Sequence, residues 1–251
     1  MSFVSMSASM SLSFISASRR RVAAALRWAP LGLLGLAFVI WPGLDLALSA
    51  AVHDPGRAPA FLAADHLLVR ASYVAVPWLG RGVLLAAAVV TLWPRERVGR
   101  WRRRAALLLG VALLGNGAAV TWLLKDHGGR PRPLAVHAFG GDQPFVAALR
   151  PGGPCGHNCS FVSGHAAAGY TLMAVGLLSA PATRRRWAAV GLAAGTAIGA
   201  GRVLQGGHFA SDVVFAAIVI GAVCALLRAA WLRARLRRRR RLASLARRRA
   251  R

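Results

Sequence analysis

Six apolar stretches, at residues 29–50, 71–93, 105–124, 164–181, 187–204 and 212–232, constrain this chain more than any other feature, because the charged residues are confined to short blocks between them. A helix of roughly 20 apolar residues crosses the hydrocarbon layer of a bilayer. A lone strand would leave its backbone polar groups unsatisfied in lipid, so each stretch reads as a helix. The pattern predicts an all-α, polytopic membrane protein, a six-transmembrane-helix bundle. It forms one domain over residues 29–232, between a leader at 1–28 and an Arg-rich tail at 233–251.

Arginine placement orients the bundle. Arg19, Arg20, Arg21 and Arg27 precede the first stretch. Arg95, Arg97, Arg100, Arg102, Arg103 and Arg104 lie between the second and third, and Arg184, Arg185 and Arg186 between the fourth and fifth. The tail supplies the last block. These blocks alternate with loops poorer in charge, so the positive-inside rule places both termini in the cytoplasm and the other loops outside. The expected location is the cytoplasmic (inner) membrane of a bacterium, with the chemistry described below on the periplasmic side.

The leader is rich in Ser and Met and carries no charge before Arg19. A secretory signal has its basic residues ahead of the apolar run, so this piece reads as an unstructured leader or a start codon placed too early. A net charge of +26 raises the question of nucleic acid. No aromatic or fold signal accompanies the basic tail, so no nucleic-acid partner is expected. Its expected partners are the anionic lipids of the inner leaflet.

Lys125 is the single lysine among 33 basic side chains. It opens the string Lys125-Asp126-His127-Gly128-Gly129-Arg130-Pro131-Arg132-Pro133 at the end of an apolar run, where a charge needs a reason. Two glycines and two prolines forbid a continuing helix. The segment is therefore an irregular turn able to bring several cationic heads together, and converging cations suit a phosphate group. A basic stop signal is the plainer alternative, but it belongs on the cytoplasmic side.

Two further polar clusters lie at the same expected face. In Ser160-Phe161-Val162-Ser163-Gly164-His165, Ser163 is a helix N-cap, Gly164 permits close approach, and His165 falls in the first turn. In Arg202-Val203-Leu204-Gln205-Gly206-Gly207-His208, followed by Phe209-Ala210-Ser211-Asp212, the glycines break the helix. His208 and Asp212 are four residues apart, so they share one helix face if the sixth helix begins near His208. A carboxylate beside an imidazole fixes its tautomer and stabilises its cation. Taken singly, the second and third clusters could be an ordinary cap and a structural His–Asp pair. Together the three supply cations, two histidines and a carboxylate, which are the parts of a phosphoryl-transfer site.

Lys125-x6-Arg132-Pro133, Ser163-Gly164-His165 and Arg202-x5-His208-x3-Asp212 resemble the tripartite signature of the type 2 phosphatidic acid phosphatase superfamily. Val162 stands where the second motif usually has Pro, and Gly201 where the third usually has Ser; neither change removes a reactive group. Phe139-Gly140-Gly141 and the run from Asn158 to Gly164 are similar to a branch that includes bacterial lipid A phosphatases. Some members of that branch carry an acidic residue at the position of His165.

The resemblance implies roles. Lys125, Arg132 and Arg202 would bind the phosphate oxygens, with Ser163 and the Gly164 amide on the same group. His208 would attack phosphorus with Asp212 orienting its ring, and His165 would protonate the leaving alcohol. Arg130, His127 and Arg81 are possible accessory residues. No cofactor and no metal are expected, since the cations neutralise the charge a magnesium ion would otherwise meet. The substrate would be a membrane lipid phosphate: undecaprenyl diphosphate, phosphatidylglycerol phosphate, phosphatidic acid or a lipid A phosphate. A phosphotransferase is chemically adjacent. A lipid transporter and a non-catalytic lipid-binding protein are the readings from other classes.

Some residues stay open at this level. Cys155 and Cys159 suit a disulfide on an oxidising face or, with His157, three ligands of a zinc site lacking a fourth. Cys224 reads as packing. Asp45 and Arg81 fall within apolar stretches, where charges are costly unless paired; they are expected to pair, or Arg81 to touch a headgroup. Asn116 suits an interhelical hydrogen bond.

Overall fold

The computed structural model describes residues 28–93 and 99–249, so the leader and its arginines, together with Arg95 and Arg97, lie outside the described residues. The described chain is helical, with helices α1 (Trp28–Ile40), α2 (Gly43–Ala50), α3 (Leu67–Leu92) and α4 (Gly99–Val111). Helix α4 continues without a break as a π-helix, Ala112–Lys125. Helix α5 (Gly164–Tyr170) continues as a 3-10 turn, Thr171–Gly176, and is followed by α6 (Pro181–Leu204) and α7 (Ala210–Arg249).

Among the described residues four helices are long and apolar enough to cross a membrane: Leu67–Leu92, Trp101–Lys125, Pro181–Leu204 and Ala210–Arg248. The expected count of six is corrected at two places. The first apolar stretch is broken between α1 and α2, which meet at 96°, so it is one bent candidate span. Pro42 and Gly43 stand at the break, where the proline supplies no N–H to the helix ladder and so favours an interruption. The fourth stretch stays α-helical for only seven residues before tightening into the 3-10 turn. It is shielded by its neighbours, with Ala166, Ala167, Tyr170, Met173, Ala174 and Leu177 all buried.

Small residues let this central helix sit close to α6. A side chain at Gly195 would overlap the ring of Tyr170, and one at Gly199 would overlap Val213 of α7. Asn116 Nδ2 donates to Thr171 Oγ1 (2.8 Å), the expected bond between helices. Helix α3 lies outermost: Leu67, Trp78, Leu79, Leu85 and Leu92 all expose most of their surface. That face suits acyl chains rather than water. Beyond Asp212, α7 runs unbroken into the basic tail, and its 40 residues make a rod about 60 Å long.

The segments joining α2 to α3, α4 to α5 and α6 to α7 gather at one end of the bundle. They share a small core of Phe61, Val136, Phe139 and Phe209, joined by the ring of His53. Backbone bonds tie them further, from Ala63 N to Leu204 O (3.3 Å) and from Leu134 N to Gly206 O (3.1 Å). Gly206 has φ +65°, and a side chain there would strike Phe61. The three segments that alternate with the basic blocks thus form one structural cap.

Candidate active site

Helix geometry delivers the groups to that cap. The π-helix ends with Asp126 N–H reaching back five residues to Thr121 O (3.1 Å), and Lys125 lies buried at its end. Ser163 caps α5, its Oγ accepting from Ala166 N (3.4 Å), and a side chain at Gly164 would meet open space. His165 follows in the first turn. Arg202 occupies the last turn of α6, and Ser163 N donates to Asp212 O (3.1 Å), which joins the second and third clusters directly.

The cations converge. Arg132, Arg202 and Asp212 all act electrostatically on Lys125, which is only 7% exposed and enters none of the ion pairs among the described residues. Arg202, Lys125 and Arg132 all act on His165. The Arg202 guanidinium lies 4.5 Å from the Tyr73 ring centre and donates through Nη1 to Gln205 Oε1. Its Nε is buried and has no hydrogen-bond partner among the described residues. Such an orphaned donor is costly in an interior unless something accepts from it.

His208 is 1% exposed. Its Nδ1 stands 3.4 Å from Asp212 Oδ2 and 3.5 Å from Ser160 Oγ, and its Nε2 makes no hydrogen bond among the described residues. Burial holds the imidazole neutral by pushing its pKa down to about 4; Asp212 opposes this, and Lys125 and Arg132 reinforce it. Asp212 also accepts from Ser160 Oγ and from Phe209 N (2.9 Å), so its ring-facing oxygen is fully occupied.

The structure places the remaining side chains as follows. Arg130, expected as a possible accessory residue, is 1% exposed and donates to Asp212, to Asp45 Oδ2 (2.8 Å), to Ser211 Oγ (2.8 Å) and to Val146 O (2.8 Å). Asp45 therefore pairs with Arg130, not with Arg81, and it also accepts from Ser211 N (2.9 Å) and Ser211 Oγ (2.6 Å). The bend between α1 and α2 is what brings Asp45 there. Arg81 is exposed and stacks over Trp78 of its own helix (4.8 Å). His127 is exposed too, its Nδ1 on Trp122 O (2.6 Å) within the last turn of α4.

Cys155 and Cys159 are bridged, with sulfurs 2.22 Å apart. The bridge frames the loop that holds the first cluster: Cys155 N donates to Gly129 O (3.1 Å), Cys159 N to Lys125 O (3.2 Å) and Ser160 N to Arg130 O (2.8 Å). Arg132 Nη2 donates to Asn158 O (3.0 Å) in the same loop. Tyr73 of α3 is the main group that sequence reading missed. Its ring stacks on His165 (centres 4.9 Å apart, 24° between planes), and its carbonyl is 3.2 Å from His165 Nε2.

Fold and site together define a polytopic helical membrane protein with a cluster of cations and histidines at one end of its bundle. The chain belongs to the PAP2 superfamily, whose pattern it matches over residues 105–237, more than half its length. It is 41% identical over 120 residues to a lipid A 4'-phosphatase of Francisella tularensis subsp. novicida (strain U112), covering 47% of this chain and 54% of that protein. It is 41% identical over 113 residues to the lipid A 4'-phosphatase of Rhizobium leguminosarum, covering 45% and 48%. The corresponding Rhizobium etli protein is 42% identical over 113 residues, covering 44% and 43%. The chain spans about half the length of these curated relatives. No solved structure matches it significantly.

Proposed function

We propose that the protein is a metal-independent lipid phosphate phosphatase acting at the periplasmic face of a bacterial cytoplasmic membrane. One observation carries the reading: Lys125, Arg132 and Arg202 act together on His165, beside a His208 whose Nδ1 is committed to Asp212 and whose Nε2 is unengaged. The names of the relatives favour a lipid A phosphate among the possible substrates.

Lys125, Arg132 and the unpartnered Nε of Arg202 hold the phosphoryl oxygens and meet the charge that grows in the transition state. Ser163 and the Gly164 amide add neutral donors. His208 Nε2 attacks phosphorus, the P–O bond to the lipid breaks, and His165 gives the departing alkoxide its proton. The imidazole becomes cationic as the P–N bond forms, and Asp212 steadies it at Nδ1. Water then attacks the phosphohistidine, His165 takes a proton from it, and phosphate leaves with the P–N electrons returned to the ring. The Arg233–Arg241 portion of α7 is exposed and rests on anionic headgroups of the inner leaflet.

The test is phosphate release by purified protein in detergent, across a panel of lipid phosphates and with chelator present. Release that persists with chelator and is abolished in His208→Ala supports the reading. Activity lost on chelation, or retained in His208→Ala, overturns it. A variant that moves lipid while the wild type releases no phosphate would point to transport.

A further inference from the structure

Helix α3 contains Pro77 in its interior. A proline has no N–H to return to the carbonyl four residues earlier, and four residues before Pro77 is Tyr73. The Tyr73 carbonyl is therefore released from the helix ladder, and His165 Nε2 stands 3.2 Å from it. A carbonyl only accepts, so this nitrogen bears the proton and donates. The Tyr73 ring completes the clamp, stacked on the His165 ring on one hand and under the Arg202 guanidinium on the other.

We propose that Pro77 is a positioning residue: by withholding an N–H it frees the Tyr73 carbonyl to hold His165 through Nε2–H, so that His165 exchanges protons with substrate and water only at Nδ1. This inference rests on the phosphatase reading for its catalytic consequence, and on the structure alone for the clamp. In the neutral ring Nδ1 is the lone-pair nitrogen that receives a proton from water. In the cation it is the donor to the leaving alkoxide. Nε2–H stays on the carbonyl in both states, so the ring need not turn over between the two half-reactions. Burial opposes the His165 cation most, and the charged groups facing it, Arg202 from α6, Lys125 from the end of the π-helix and Arg132 from the following loop, oppose it too; the Tyr73 carbonyl favours it. The two phosphate charges of a bound substrate tip that balance toward the proton-donating form.

Pro77→Ala restores the missing N–H, which competes with His165 for the Tyr73 carbonyl and leaves every cation in place. In histidine-labelled protein, with the His165 signal assigned by its loss in His165→Gln, nitrogen NMR is expected to show the proton on Nε2 in the wild type and mixed tautomers in Pro77→Ala. A wild-type signal with the proton on Nδ1, or one that Pro77→Ala leaves unchanged, overturns the clamp whether or not the protein is an enzyme. For turnover, Pro77→Ala should lower kcat about tenfold, a partial loss of the roughly 10²–10⁴-fold that a general acid–base group contributes, with KM within about twofold of the wild type. In a His165→Gln background the same change should add nothing, since both act through one ring. An equal loss in both backgrounds would assign Pro77 a merely structural role and overturn the catalytic part. A wild type that releases no phosphate from any lipid sinks the phosphatase reading and leaves the NMR outcome to decide the clamp.

Discussion

Arg130 and Asp212 form a buried ion pair, 1% and 0% exposed, and the same guanidinium reaches Asp45 on α2. Asp212 is thereby held by a cation that it shares with a second carboxylate. It is fixed in place but not neutralised outright, which is what an imidazole about to become positive requires.

Removing that cation should be expensive. Arg130→Met leaves two buried carboxylates without their counter-ion, and breaking a buried pair in this way costs about 3–5 kcal/mol. Thermal unfolding in detergent should show a large loss of stability. Asp45→Asn keeps hydrogen bonds to Ser211 and should be milder, about 1–3 kcal/mol. Wild-type stability in Arg130→Met would mean that the network carries no buried charge.

In the proposed mechanism His208 reacts as the neutral ring, and burial pushes its pKa down to about 4. A lowered pKa means that the lone pair survives acidification: protonation sets in only as pH falls toward 4. The acid limb of kcat/KM, corrected for titration of the substrate phosphate, should lie near pH 4 and not near the 6.5 of a free imidazole. A limb near 6.5 would show that the ring is solvated during turnover.

The disulfide loop should govern phosphate affinity more than chemistry. Asn158 O holds Arg132 Nη2 at 3.0 Å, three residues after Cys155. Cys155→Ser with Cys159→Ser, or reductant on the wild type, frees that carbonyl. Losing one such hydrogen bond is worth roughly 1 kcal/mol, so KM should rise roughly fivefold with kcat little changed. Steady-state kinetics on the reduced and oxidised protein decide it.

Gly207 offers a cleaner lesion. A side chain there would overlap the Arg202 guanidinium, the far end of a flexible side chain. Gly207→Ala should therefore displace Arg202 without disturbing the fold. KM is expected to rise about tenfold, equivalent to about 1.4 kcal/mol of lost binding, with thermal stability within about 1 kcal/mol of the wild type. Unchanged KM would mean that Arg202 does not grip the phosphate.

The polar groups were legible because they are expensive where they stand. Lys125 ends an apolar run, and the close spacing of His208 and Asp212 keeps them within reach of one another although α7 starts only at Ala210 and leaves His208 in the turn before it. Asp45 was visible for the same reason, but its partner was not: the break at Pro42 and Gly43 lies inside an apolar stretch, and only the bend explains how α2 reaches Arg130. The short helical run of the fourth stretch was hidden too, because apolar composition does not distinguish a long span from a shielded 3-10 turn. Tyr73 carries no charge and acts partly through its backbone, so nothing in its residue type announces it. The signal that could have found it is Pro77, whose missing donor always orphans a carbonyl one turn earlier.

The segment shared with the superfamily, residues 105–237, contains every group proposed to react but neither Asp45 nor Tyr73. The buttresses come from helices ahead of it. A chimera that grafted only that segment onto foreign first spans would transfer the chemistry's instruments without the hands that steady two of them, His208 through Asp212 and His165 directly. Divergence in the leading helices is therefore a route by which relatives with the same motifs can come to differ in rate.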